Sequence, residues 1–237
     1  MATTASSKSR GISRAAIIGT VAAALILVGV LVAISASGGS DGGSSGGAVT
    51  GAEEVQTQFA GIPQSGDRLG AETAPVEIAE YADLQCPYCA QAASGTVPAL
   101  VADYVKPGTA KLVFRPLTFI GPDSERGANA VAAAGAQGKM WPYAELLYRN
   151  QGRENKGWLG EKVVKNAATA LGLDVAKFDT DRNGQAASAL VASAAADAQT
   201  AGVNATPTFV VTGPRGRVVI RDFTNLGEFR TAIASVR

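Results

Sequence analysis

The sequence predicts an α/β fold, and three observations carry that prediction. Strand-like and helix-like stretches follow one another in the order βαβ, a long helical block, then ββα. The only two cysteines, Cys86 and Cys89, lie where the first of these strands gives way to a helix. An uncharged apolar run and a glycine-serine stretch precede the alternating region and set it apart from the amino terminus.

The apolar run is Ala15 to Ala36, 22 residues without a charge. At 1.5 Å per residue, about 20 such residues cross a bilayer core of about 30 Å, so the run predicts a transmembrane anchor. The competing reading is a secretory signal peptide, with Ser35-Ala36-Ser37 as a small-residue cleavage site; its apolar core of about 7–15 residues would be shorter than this run. Lys8, Arg10 and Arg14 precede the run and the first acidic residue, Asp41, follows it. Positive residues stay inside, which predicts a cytoplasmic tail over 1–14 and a bulk outside the cell membrane. Residues 37–52 contain seven glycines and four serines. That composition predicts a flexible linker spanning roughly 20–25 Å, with the folded domain at 53–237.

Within that domain, Ala74 to Tyr81 alternates as a half-buried strand does and starts at Pro75, a position that tolerates proline. After Cys86-Pro87-Tyr88-Cys89, the apolar positions Ala92, Val97, Leu100, Val101 and Val105 recur at helical spacing until Pro107-Gly108. Lys111 to Arg115 reads as a second strand, parallel to the first through that crossover helix. From Asp123-Ser124 to Gly202 the chain is alanine-rich and helical in period, with breaks that fit about four helices. Trp141, Tyr143, Leu146, Leu147 and Tyr148 crowd one of them and are expected in its core. Strands return at Thr208 to Val211 and Arg217 to Ile220, across the turn Gly213-Pro214-Arg215-Gly216. Leu226 to Val236 reads as a closing amphipathic helix.

Composition excludes much chemistry. Lys and Arg number 21 against 20 Asp and Glu, without the basic excess of a nucleic-acid binder. With no histidine there is no Ser-His-Asp or Cys-His pair, no histidine metal ligand and no haem axial histidine. Two cysteines cannot fill a four-coordinate structural zinc site. No metal and no organic cofactor is expected.

The Cys86–Cys89 spacing instead suits redox chemistry. A first cysteine at a helix amino terminus meets unpaired backbone N–H groups and the positive end of the helix dipole, which favour its thiolate. Pro87 fits the first helical position, where an N–H would be unpaired anyway. Cys89 follows one turn later, placed to resolve a mixed disulfide, so Cys86 is the expected nucleophile and Cys89 the resolver. A purely structural staple is the alternative. Closing a four-residue loop stabilises by only about 2 kcal/mol, against about 3 for fifteen residues, which makes this spacing a poor staple.

Three stretches are specific enough to resemble a family: Ala74-Pro75-Val76, Glu80-Tyr81-Ala82-Asp83-Leu84-Gln85-Cys86-Pro87-Tyr88-Cys89, and Gly202-Val203-Asn204-Ala205-Thr206-Pro207-Thr208-Phe209. They resemble the DsbA-type branch of thioredoxin-fold thiol–disulfide oxidoreductases over about Gly61 to Val236. The resemblance implies a thioredoxin-like fold with an α-helical domain inserted at about 122–202. It implies that Pro207 is the cis-proline facing the cysteines, that Thr206 presents backbone groups to an extended substrate, and that Pro87 and Tyr88 complete the substrate-contacting surface. It places a buried carboxylate at Glu80, able to move the proton of Cys89. A solvated strand residue is the other reading of Glu80, and Asp83 is expected in an exposed loop. Tyr88 stands where many oxidising members carry histidine, and it supplies no positive charge. The implied function is disulfide formation in exported proteins, with a quinone-linked membrane partner reoxidising the pair. A reductase or isomerase of the same fold, or a tethered binding or chaperone module, are the alternatives.

Overall fold

The computed structural model describes residues 47–237. The expected tail and anchor, 1–14 and 15–36, lie outside the described residues. Among the described residues no helix is long and apolar enough to cross a membrane.

The described chain opens with helix α1 (Ala52–Phe59) and the two-residue strands β1 (Gln64–Ser65) and β2 (Arg68–Leu69). Strand β3 (Val76–Ala82) leads into α2 (Pro87–Ser94), α3 (Thr96–Leu100) and a π-helical turn over Val101–Val105, and then into β4 (Ala110–Pro116). Five helices follow: α4 (Pro122–Gly135), α5 (Met140–Arg149), α6 (Glu161–Ala170), α7 (Val175–Arg182) and α8 (Gln185–Ala201). Strands β5 (Thr208–Gly213) and β6 (Gly216–Ile220) and helix α9 (Leu226–Val236) complete the fold. The sheet order is β1-β2-β4-β3-β5-β6. Only β3 and β4 run parallel, with Glu80 opposite Phe114 on β4 and antiparallel to Phe209 on β5.

Central strand β3 is covered on both faces, and its period of two divides its side chains between two cores. Val76, Ile78 and Ala82 join Leu112, Phe114, Phe209 and Val211 in the larger core, against α2, α3, α5 and α9. Ala79 and Tyr81 face the other way and meet Ala194, Ala198 and Ala201 of α8. Small alanines let α8 lie close to the sheet. Trp141, Tyr143 and Tyr148 are all buried on α5; Trp141 meets Phe114 edge-on at 5.6 Å. Tyr143 packs against Phe178 of α7 at 5.3 Å.

Two expectations change here. Residues 47–52 do not behave as the flexible end of a linker. Thr50 N and Asn150 Nδ2 exchange bonds of 2.9 Å with Asn150 Oδ1 and Thr50 O, and Asn166 Nδ2 donates to Gly47 O at 2.8 Å. Satisfied backbone groups and the packing of Val49 and Ala52 on the larger core outweigh the glycine content. The crossover expected as one helix is broken at Gly95, whose ψ of −67° at φ −122° leaves the helical region.

Candidate active site

Strand β3 ends at Ala82, and a four-residue loop carries the chain to α2, whose N-cap is Cys86 with extended φ −72° and ψ 120°. Pro87 occupies the first helical position. The Cys86 carbonyl accepts from Cys89 N at 3.1 Å and Ala90 N at 3.2 Å, which starts the helix directly behind its own sulfur. Pro87 and Tyr88 are exposed, Tyr88 at 61%.

Buried side chains anchor the loop. Asp83, expected in an exposed position, is fully buried instead: its carboxylate accepts from Gln85 N at 2.9 Å, Phe119 N at 2.8 Å and Ile120 N at 3.1 Å. Three backbone donors offset the cost of burying so polar a group. Gln85 Nε2 donates to Ser124 Oγ at 2.9 Å and Asn155 Oδ1 at 3.1 Å, while Gln85 Oε1 accepts from Asn155 N at 2.6 Å. Gln151 Nε2 donates to the carbonyls of Leu84 at 2.8 Å and Cys86 at 3.1 Å. Neither glutamine's role was legible in the sequence, because the partners lie 39 to 70 residues away.

Cys86 and Cys89 are both free and buried, yet their environments differ. The Cys89 thiol beside it is the chief cause that pulls Cys86 down, to about 6. A side-chain bond with Thr206 and the backbone N–H groups of Cys89 and Tyr88 add to this, and burial opposes it. For Cys89, burial pushes the thiol well up, and the neighbouring Cys86 and Glu80 raise it further. The Cys86 sulfur donates to the Thr206 carbonyl at 3.3 Å, and the Thr206–Pro207 peptide bond is cis. The loop before β5 and the start of α2, 120 residues apart in sequence, therefore meet at one sulfur.

Glu80 sits beneath this pair at 1% exposure, which removes the reading of a solvated strand residue. Burial, and then the charge of Glu145, push its carboxyl up to about 8. The structure thus brings together Cys86, Cys89, Glu80, Thr206 and Pro207, with Pro87 and Tyr88 on the surface beside them. Glu145 and Tyr148 on α5 were not singled out as site residues, and both lie against the same interior. A carboxylate within an aromatic helix stretch was the available signal for Glu145. Among the described residues, no group of three or more His, Cys, Asp or Glu could hold a metal ion.

A six-stranded sheet, a Cys-Pro-Tyr-Cys turn at a helix amino terminus and a cis X-Pro bond at the sulfur define a thioredoxin-fold protein with an inserted helical domain. The chain belongs to the thioredoxin family, which it matches over residues 64–226. It is 30% identical to the probable disulfide bond formation protein D of Bacillus cereus over 151 residues, 61% of this chain and 69% of that one. It is 33% identical to the Na(+)/H(+) antiporter NhaA 1 of Salinispora arenicola over 159 residues, 65% of this chain and 23% of that one. The chain thus spans about a quarter of the antiporter relative. The crystal structure of oxidised BdbD from Bacillus subtilis superposes with a TM-score of 0.64 at 22% identity, covering 73% of this chain and 95% of that one.

Proposed function

We propose that the chain is a thiol–disulfide oxidoreductase that forms disulfides in exported proteins. The observation that carries this reading is the placement of Cys86 at the N-cap of α2, its sulfur 3.3 Å from the Thr206 carbonyl, with Cys89 fully buried one turn behind it, an arrangement that holds the Cys86 thiol down and pushes the Cys89 thiol up. In the oxidised enzyme, a substrate thiolate attacks Cys86 Sγ. The Cys86–Cys89 bond breaks, a substrate–Cys86 mixed disulfide forms, and Cys89 leaves with the electron pair and takes a proton from the neutral Glu80 carboxyl. A second substrate thiolate attacks the substrate sulfur of that mixed disulfide, forms the substrate disulfide and releases Cys86 as its thiolate. A low thiol pKa favours this release, since a weaker base leaves faster. Thr206 and Pro207 hold the substrate strand, and exposed Pro87 and Tyr88 flank it.

The apolar run at 15–36 would anchor the enzyme with its amino terminus in the cytoplasm and its catalytic domain outside. A quinone-linked membrane partner would accept the electron pair from the reduced cysteines. The relatives named for disulfide bond formation support the oxidising direction.

Cys86→Ser is expected to abolish catalysed oxidation of a reduced test protein. Cys89→Ser, which cannot form the internal disulfide, is expected to lose it too, and its Cys86 thiolate to accumulate a mixed disulfide only when offered a disulfide-bonded substrate, one substrate thiolate leaving as the mixed bond forms. Retained turnover in Cys86→Ser would refute the mechanism. The reduction potential of the pair tests the direction. A value near about −120 mV belongs to a strong oxidant, and one near about −270 mV would make the chain a reductant.

A further inference from the structure

Glu145 is 56 residues from Cys89 in sequence and yet faces the same interior as Glu80. A cavity of about 10 Å³ lies between them, walled by Ala93, Phe114, Trp141 and Tyr148. That is close to the space one water occupies. On one side, Glu80 Oε1 is buried without a hydrogen-bond partner. On the other, Glu145 is itself buried at 4% exposure, and its Oε1 accepts from Arg149 Nε at 3.3 Å. The Arg149 side chain is 40% exposed, so one hydrogen bond separates the buried Glu145 carboxyl from a solvent-exposed partner, while Glu80 lies close enough to Cys89 to raise its thiol.

We propose that Glu145 is the proton partner of Glu80, the two carboxyls forming a relay across this cavity that carries the Cys89 proton between the site and the Arg149 edge of α5. The proposal rests on the redox reading of Cys86 and Cys89. No electrons move along the relay. When Cys89 leaves the broken disulfide and takes the Glu80 proton, Glu80 becomes a carboxylate, Glu145 passes it a proton, and solvent at Arg149 restores Glu145. Glu145 does not touch the sulfur; it is a positioning residue that sets how readily Glu80 holds and releases its proton.

The groups facing this space come from three elements: Glu80 on β3, with Asp83 in the loop that follows; Cys86 and Cys89 at the start of α2; and Glu145, Tyr148 and Arg149 on α5. Burial raises both carboxyls, Glu145 to about 7 against the pull of Arg149 and Glu80 to about 8 with Glu145 adding to it. Two carboxylates in so dry a space resist ionising together, so they titrate as a pair.

The test follows carboxyl infrared bands of the reduced full chain between pH 4 and pH 10, in wild type, E80Q, E145Q and E145D. Wild type is expected to keep two neutral buried carboxyls above pH 6. E145Q should keep one, and that one should ionise at lower pH than in wild type because its like-charged neighbour is gone. E145D should restore the two-step titration. Reduction of the oxidised protein by a small thiol supplies the kinetic readout. Above pH 7, E145Q is expected to be roughly tenfold slower, less than the about 10²–10⁴ of a direct general acid, and E145D should recover most of the rate.

Complete ionisation of both wild-type carboxyls by pH 5 would overturn the proposal. So would an E145Q chain whose Glu80 titration and rate profile match wild type. Should E145Q not fold, the wild-type bands and E145D still decide. A chain with inert cysteines would defeat the function reading through the small-thiol assay alone, leaving the carboxyl titration as a separate result.

Discussion

Glu80 and Asp83 are three residues apart, both buried, and held by opposite means. The Asp83 carboxyl accepts from three backbone N–H groups, while Glu80 has an unpaired oxygen and is pushed up to about 8. Strand β3 ends at Ala82, so alternation places Glu80 but not Asp83, and nothing local in the sequence says where the amides of Phe119 and Ile120 point. The difference shows in stability. The folded chain keeps a proton on Glu80 that the unfolded chain releases above its ordinary value near 4.5. The Glu80 contribution is therefore full below 4.5 and is lost as pH rises toward 8, a change on the order of 5 kcal/mol. Cys86, lowered to about 6 from near 9, has the opposite sign: its contribution is present above 9 and is lost as pH falls through 6. In the reduced protein, Glu80→Gln is expected to flatten the stability profile between pH 4.5 and 8 and to be more stable than wild type at pH 8. Urea unfolding at a series of pH values measures this, and an unchanged slope would show that Glu80 is ionised in place.

The start of α2 depends on a contact one element away. Gly127 on α4 leaves no room for a side chain: a Cβ there would lie 2.8 Å from Leu159 Cδ1 and 3.1 Å from Leu84 Cβ. Leu84 is in the loop that presents Cys86, and its Cβ cannot rotate away. Alanine would gain up to about 1 kcal/mol of helix propensity, but overpacking a buried site costs about 1–3 kcal/mol, so the clash prevails. Gly127→Ala is expected to lower Tm by a few degrees, at about 2–4 °C per kcal/mol, and to slow alkylation of Cys86 as the loop shifts. Unchanged Tm and alkylation would show that Leu84 yields freely. The principal elements were legible because each has a clear period: β3, β4, β5, β6 and α9 fall within about two residues of their expected ends. Strands β1 and β2 were not, since two residues carry no periodicity and their pairing depends on β4 being in place. Helix α1 was hidden for another reason. Its start at Gly51 follows a glycine-serine stretch, and contacts with Asn150 and Asn166 hold that approach in place.

The inserted helices are built into the site around Cys86 and Cys89. Gln85 binds Ser124 and Asn155, Gln151 binds two loop carbonyls, Trp141 Nε1 donates to Asp67 O at 2.9 Å, and Arg115 on β4 pairs with Asp67 and with Asp197 on α8. The described residues accordingly form one compact unit. Such coupling predicts that the helical insertion and the sheet unfold together, although α7 lies far along the chain from the cysteines. Phe178 of α7 is fully buried against Tyr143, whose hydroxyl donates to Val164 O at 2.9 Å. Phe178→Ala would leave a cavity costing about 3–5 kcal/mol. Hydrogen exchange should show protection falling by that amount both in α4–α7 and in β3–β5, and thermal unfolding should remain a single transition at lower Tm. Loss confined to the helices, with β3 and β5 still protected and Cys86 alkylated at the wild-type rate, would mean that the insertion is a separate cooperative unit. The hydrogen bonds of Gln85 and Gln151 argue against that outcome, because melting the helices would remove the partners of the loop that presents Cys86.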